Sequence, residues 1–185
     1  MKKLWLNDIL ETQRYILKLP QESEAEYMWN LITENTTKYM IWNKSDTVDE
    51  TLKNIKETKE KSQKWTEWQA AIYDSSSWEL IGRCWINTYD EKIPSFQIWY
   101  WISEKHYGKW IVPECVKRLL HFAFIESSFE KVIIRCDSEN INSQKVALKC
   151  WFNFEWEFKK YERINWKLRD TKFFGITKED YLSEK

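Results

Sequence analysis

The chain has 185 residues, enough for one domain with a sizeable core. Its 29 Lys and Arg balance 29 Asp and Glu, and a net charge of zero argues against a general nucleic-acid binder, which carries a basic excess. No apolar run approaches the ~20 residues of a membrane span, and Asp8 and Glu11 come too early for a signal-peptide core, so the expected setting is the cytoplasm, with no membrane partner.

In chain order, "RYILKL" (14–19) alternates and stops at Pro20, which predicts a strand. Ser23 can cap a helix to about residue 33, with Ala25, Met28, Trp29 and Ile32 on one face. Thr47 and Glu50 have capping-box spacing, and the helix they open is expected to run out in the solvated stretch "KETKEKSQK". Three strands follow: 67–74, closed by the turn "SSSW", then 79–89, then 95–103, whose near-continuous apolar run suits a strand buried on both faces. A helix is predicted over 109–126, with Val112, Cys115, Val116, Leu119, Leu120 and Ala123 as its core stripe and Pro113 in its first turn. A buried strand at 131–137, a short helix at 142–150 and a final hairpin joined at Asn165–Trp166 complete the chain. The order predicts an α/β fold: a mixed sheet with helices on both faces.

The four cysteines, Cys84, Cys115, Cys136 and Cys150, lack CxxC spacing, and the only histidines are His106 and His121. No metal site is expected, and each thiol reads as a small core residue.

Four words of the sequence carry a resemblance. "LETQRYILKLP" is similar to "LETERLxLR", and "YGKWIVPECVKRLLHFAF" to "WGKGxxTEAxxxLLxxAF". "DSENINSQKVALKCWF" is similar to "xxxNxxSxxxLEKxGF", and "INWKLRDTKFF" to "xxGxxxDxxxY". Order and spacing resemble the GNAT superfamily of N-acetyltransferases, in its ribosomal-protein N-terminus branch, over nearly the whole chain. The resemblance implies one N-acetyltransferase domain over 1–185. It implies a twisted, mostly antiparallel sheet of six or seven strands, splayed between 95–103 and 131–137. It implies acetyl-CoA as donor and an amine acceptor: a protein N-terminus, a polyamine or an aminoglycoside. The protein would be a monomer or a homodimer.

One departure is systematic. The chain has 3 glycines and 13 tryptophans, where average usage gives about 13 glycines. Trp110, Trp151 and Trp166 occupy family glycines, and Trp65, Trp78, Trp85, Trp99 and Trp156 stand where glycine would be natural. Trp42, Trp68 and Trp101 read as genuine tryptophans. A single cause would be a bacterial code in which UGA means glycine, translated by a table in which it means tryptophan.

Independently of the resemblance, a helix opening near residue 110 presents free N–H groups that favour an anion. The resemblance places coenzyme A pyrophosphate there, on Tyr107, Gly108, Lys109, Trp110, Ile111 and Val112. It places the pantetheine arm against Trp99, Tyr100 and Trp101, with a backbone N–H polarising the thioester carbonyl. Asn140 would hold the arm and Ser143 would protonate the departing thiolate, because the family's helix tyrosine is Ala147 here. Either residue is also an ordinary helix cap. Where relatives often carry a basic glutamate this chain has Gln97, and Glu67 and Glu104 are open alternatives. Gln97 and Ala147 also admit a catalytically silent acyl-CoA-binding module, and the tryptophans a single-strand nucleic-acid platform.

Overall fold

The computed structural model describes residues 9–64, 67–90 and 92–184. Strands β1 (Leu10–Glu11) and β2 (Tyr15–Lys18) open it, and Thr12 Oγ1 folds the turn between them by accepting from the N–H groups of Arg14 and Tyr15. The sequence carries no signal for β1, since two residues cannot show an alternation. Ser23 does not cap the first helix. It lies inside a 3₁₀ turn (Glu22–Glu24) capped by Gln21, whose N–H donates to Glu24, and α1 (Ala25–Leu31) follows. After α2 (Glu34–Thr37), Thr47 caps α3 (Val48–Gln63) by accepting from Glu50 N–H at 3.3 Å. As expected, α3 runs out inside the charged stretch 56–64, and Ile55, Thr58 and Ser62 carry one buried stripe almost to its end.

The remaining elements are β3 (Trp68–Asp74), β4 (Leu80–Asp90), β5 (Ser95–Ile102), α4 (Ile111–His121), β6 (Lys131–Asp137), α5 (Ile141–Lys149), β7 (Asn153–Ile164), β8 (Lys167–Thr177) and α6 (Lys178–Ser183). The predicted long helix is thus α4 with a π-turn, Phe122–Glu126, at its end. The sheet has eight strands in the order β1-β2-β3-β4-β5-β6-β8-β7, one or two more than the expected count. Among the described residues only β5 and β6 pair in parallel.

Strand alternation feeds two cores. Ala70, Ile72, Phe96 and Ile98 face α4 and α5, where Cys115, Leu119 and Ala147 complete one cluster. Ala71, Tyr73 and Trp101 face the other way, against Met28 of α1 and Ile55 of α3. Among the described residues no helix is long and apolar enough to cross a membrane.

Among the described residues six that are not glycine have left-handed backbone: Trp78, Trp110, Trp151, Lys160, Asn165 and Trp166, with φ between 46° and 66°. Four are among the eight tryptophans suspected of standing for glycine. Trp85, Trp99 and Trp156 lie in strands without positive φ, and Trp65 lies outside the described residues.

Candidate active site

A gap inside the sheet organises the site. β5 and β6 pair only through Ser95–Gln97 and Lys131–Ile133. Beyond these residues β5 stays on β4 as far as Ile102, and β6 stays on β8 as far as Asp137. The facing edges, Ile98–Ile102 and Ile134–Asp137, therefore lack each other as ladder partners, and an extended ligand can supply the missing hydrogen bonds.

The helix that follows β5 opens beside this gap. A 3₁₀ turn (Glu104–His106) is held by Ser103 Oγ against His106 Nδ1 at 2.8 Å, and Tyr107 N–H closes it on Glu104. Tyr107 N–H is thus already used. The N–H groups of Gly108, Lys109, Trp110, Ile111 and Val112 make no hydrogen bond among the described residues. Five unpaired N–H groups at the first turn of an eleven-residue helix suit a phosphate group. Trp110, at the N-cap with φ 63°, is 56 % exposed, and the Lys149 ammonium lies 3.1 Å from its ring centroid. Arg14 and Thr12 clamp this turn from the loop between β1 and β2. Arg14 pairs with Glu114 at 2.7 Å and reaches Lys109 C=O at 3.5 Å, and Thr12 donates to Glu114 at 2.6 Å. No sequence spacing announces a clamp made across about a hundred residues.

Asn140 and Ser143 stand where expected, at the start of α5. Asn140 Oδ1 accepts from Ser143 N–H at 3.1 Å, so Asn140 is the N-cap. Ser143 is buried, and its Oγ lies 2.7 Å from Tyr100 Oη. Tyr100 was singled out for its backbone, yet its hydroxyl meets the predicted acid directly. Burial drives the Tyr100 phenol well above its usual pKa and pushes the neighbouring Cys136 thiol up to about 11, so both keep their protons at neutral pH. Ala147, the site of the family tyrosine, is fully buried in the core.

On the other face of the sheet a cleft of about 450 Å³ lies between α1, α3 and strands β3 to β6. Gln69, Arg83, Asn87, Trp99 and Arg135 bring it together from four strands, because alternate residues of adjacent strands share a face. Gln97, on β5, does not line the cleft, and its Oε1 is buried without a hydrogen-bond partner among the described residues. Arg83 is 5 % exposed and its hydrogen bonds go to neutral groups: Asn54 at 2.8 Å, Thr58 at 3.0 Å and Gln69 at 2.9 Å. Burial lowers its pKa to about 10, so it remains a cation at neutral pH. Arg135 pairs with Glu162 at 3.2 Å and stacks over Trp99. Trp99 in turn stacks on Trp85 across β4 and β5, with centroids 6.2 Å apart.

The two candidate bases separate. Glu67 lines the cleft and is held by Lys61 and Gln69. Glu104 lies outside it, accepting from Thr33 and Asn35, and these bonds hold its pKa below the ordinary value. Among the described residues no group of three His, Cys, Asp or Glu could hold a metal ion.

Residues 14–153 match the acetyltransferase (GNAT) domain family. The chain is 23% identical over 175 residues to p20, an uncharacterized N-acetyltransferase of Bacillus licheniformis, covering 94% of this chain and 98% of that one. It is 30% identical over 87 residues to the ribosomal-protein-serine acetyltransferase of Escherichia coli K12, covering 47% of this chain and 49% of that one. A ribosomal L7/L12 alpha-N-protein acetyltransferase solved in complex with coenzyme A has the same fold, with a TM-score of 0.83 at 20% identity over 92% of this chain and 98% of that one.

Proposed function

The chain belongs to the acetyltransferase (GNAT) domain family and is an acetyl-CoA-dependent acyltransferase; we propose that it acetylates the α-amine of a protein N-terminus in the cytoplasm. The observation behind this reading is the charge of the cleft. Its lining includes Arg83, Arg135 and Lys61 against Glu50 and Glu67, and Arg83 has no carboxylate partner among the described residues. A polyamine or an aminoglycoside would bring several positive charges against these cations. An N-terminal peptide brings one amine, and its carbonyl groups can accept from the guanidinium groups. The L7/L12 enzyme of the same fold acts, by its name, on a protein α-amine, which supports the same choice.

Acetyl-CoA supplies the acetyl group as an activated thioester. In our reading the unpaired N–H groups of Gly108 to Val112 hold its pyrophosphate, and Lys109 adds charge. The edge at Trp99–Trp101 pairs with the pantetheine arm and turns an N–H toward the thioester carbonyl. Asn140 keeps its side-chain amide for the same arm while its Oδ1 caps α5. Glu67 takes a proton from the incoming ammonium through water, a carboxylate role that Gln97 cannot fill. Ser143 gives the leaving sulfur its proton, Tyr100, at 2.7 Å, orients that hydroxyl, and the proton shed by the newly acylated nitrogen restores it through water.

An acceptor screen that reads free CoA tests this, run on the chain as written and on Trp110→Gly. A peptide with a free α-amine is expected to turn over, and its N-terminally blocked form is not. Faster turnover of spermidine or an aminoglycoside would overturn the acceptor. Acetyl-CoA binding without turnover of any amine would leave the silent-module reading in its place.

A further inference from the structure

Left-handed backbone costs little for glycine and is rarely adopted by bulky side chains. Among the described residues four of the six non-glycine residues that adopt it are tryptophan, in a chain with 13 tryptophans among 185 residues. Each of the four has its own geometric reason to be glycine. At the end of α5, Trp151 N–H bonds Leu148 C=O at 3.2 Å and Phe152 N–H bonds Ala147 C=O at 3.1 Å. That is the Schellman pair of hydrogen bonds, whose left-handed residue is usually glycine. In the β7–β8 hairpin, Asn165 and Trp166 both have positive φ, 46° and 65°, as in a two-residue type I′ turn, which favours Asn-Gly. Trp78 closes the β3–β4 loop, its N–H on Asp74 C=O at 2.9 Å with φ 60°. Trp110 opens α4 at φ 63°, where the unpaired N–H groups gather.

We propose that residues 78, 110, 151 and 166 are glycine in the protein the cell makes, encoded by UGA read there as glycine, and that glycine at 110 opens the pyrophosphate cradle. The other tryptophans provide the contrast. Trp68 and Trp101 lie in strands without positive φ and are buried, at 3 % and 4 % exposure, as genuine core residues. The left-handed four do not behave as a core group. Trp166 is 90 % exposed, Trp78 and Trp110 are more than half exposed, and Trp151 is partly buried against the core. Neither end of the exchange is therefore a demand of packing. At 110 the consequence is functional, because an indole there stands over the loop whose N–H groups would meet the phosphates. This second half rests on the cofactor placement given above.

Two measurements decide it. The first is the codons of the gene together with peptide mass spectrometry of the protein purified from its own host. The expected result is UGA and glycine at 78, 110, 151 and 166, with UGG and tryptophan at 68 and 101. Tryptophan at 110 or 151 in the host-made protein would overturn the proposal. The second compares Trp110→Gly with Trp78→Gly, each made in a standard-code host, by calorimetry with acetyl-CoA. Trp110→Gly is expected to lower Kd by about tenfold or more, and Trp78→Gly to leave it unchanged. If the written chain does not fold, the comparison is run with glycine at 78, 151 and 166, changing only residue 110. Equal Kd values would remove the role of 110. No binding even with all four glycines would instead refute the cofactor placement.

Discussion

Toward α4 and α5, the groups turned to the gap are backbone N–H groups and the hydroxyls of Tyr100 and Ser143. Toward α1 and α3, the cleft is lined by guanidinium groups, carboxamides and carboxylates: Arg83, Arg135, Gln69, Asn87 and Glu67. The first side is made of what the backbone offers wherever a helix starts or a strand loses its neighbour. The second is made of side chains brought together from separate elements. A site of the first kind suits a ligand that never changes, and a site of the second kind can be altered one residue at a time.

The sharpest test of this division is Ser143→Ala. We expect kcat to fall by about a hundredfold, as for a lost general acid, with little change in the KM for acetyl-CoA. Tyr100→Phe should follow the same pattern with a smaller loss. A change confined to KM would return Ser143 to capping. On the opposite face, Arg83→Met should raise the peptide KM and leave the KM for acetyl-CoA alone. It also strands Asn54, Thr58 and Gln69, so urea unfolding should show a loss of about 2 kcal/mol. An effect on acetyl-CoA KM would break the comparison. Trp166→Gly, at the hairpin tip away from both sides, should stabilise by about 1 kcal/mol by relieving left-handed strain while leaving kcat unchanged.

The smallest effect concerns pH. Burial lowers the pKa of His106, with Lys109 and Lys105 acting in the same direction and Glu79 opposing. The folded chain therefore takes up this proton less readily than the unfolded chain. The stability that follows is complete above the ordinary histidine pKa of about 6.5 and declines as the pH falls below it. His106→Gln should flatten that part of a melting-temperature profile, and an unchanged profile would mean that other groups set it.

The same division explains what could be read from the sequence. The β6 boundaries, the Asn165–Trp166 turn and the α5 cap follow from local signals: a short apolar run, a turn pair, a cap residue. The helix start with its free N–H groups and the strand before it could be read because the two are contiguous in the chain. Tyr100 meeting Ser143 was not, since 43 residues separate them and only the sheet brings them together. Arg83 was missed because a lone arginine in a strand carries no periodic signal that it will be buried under α3. β1 is too short to alternate.

The four cysteines have one more consequence. Cys84, Cys115 and Cys150 have no measurable exposure, and Cys136, on β6 beside the gap, is 8 % exposed. Burial raises all four thiols, so few are thiolates at neutral pH and an alkylating reagent must wait for the chain to open. Their labelling rates form a set of internal clocks. Cys136 should time the breathing of the gap and slow when acetyl-CoA is added, while Cys84, Cys115 and Cys150 should time the opening of the core they share.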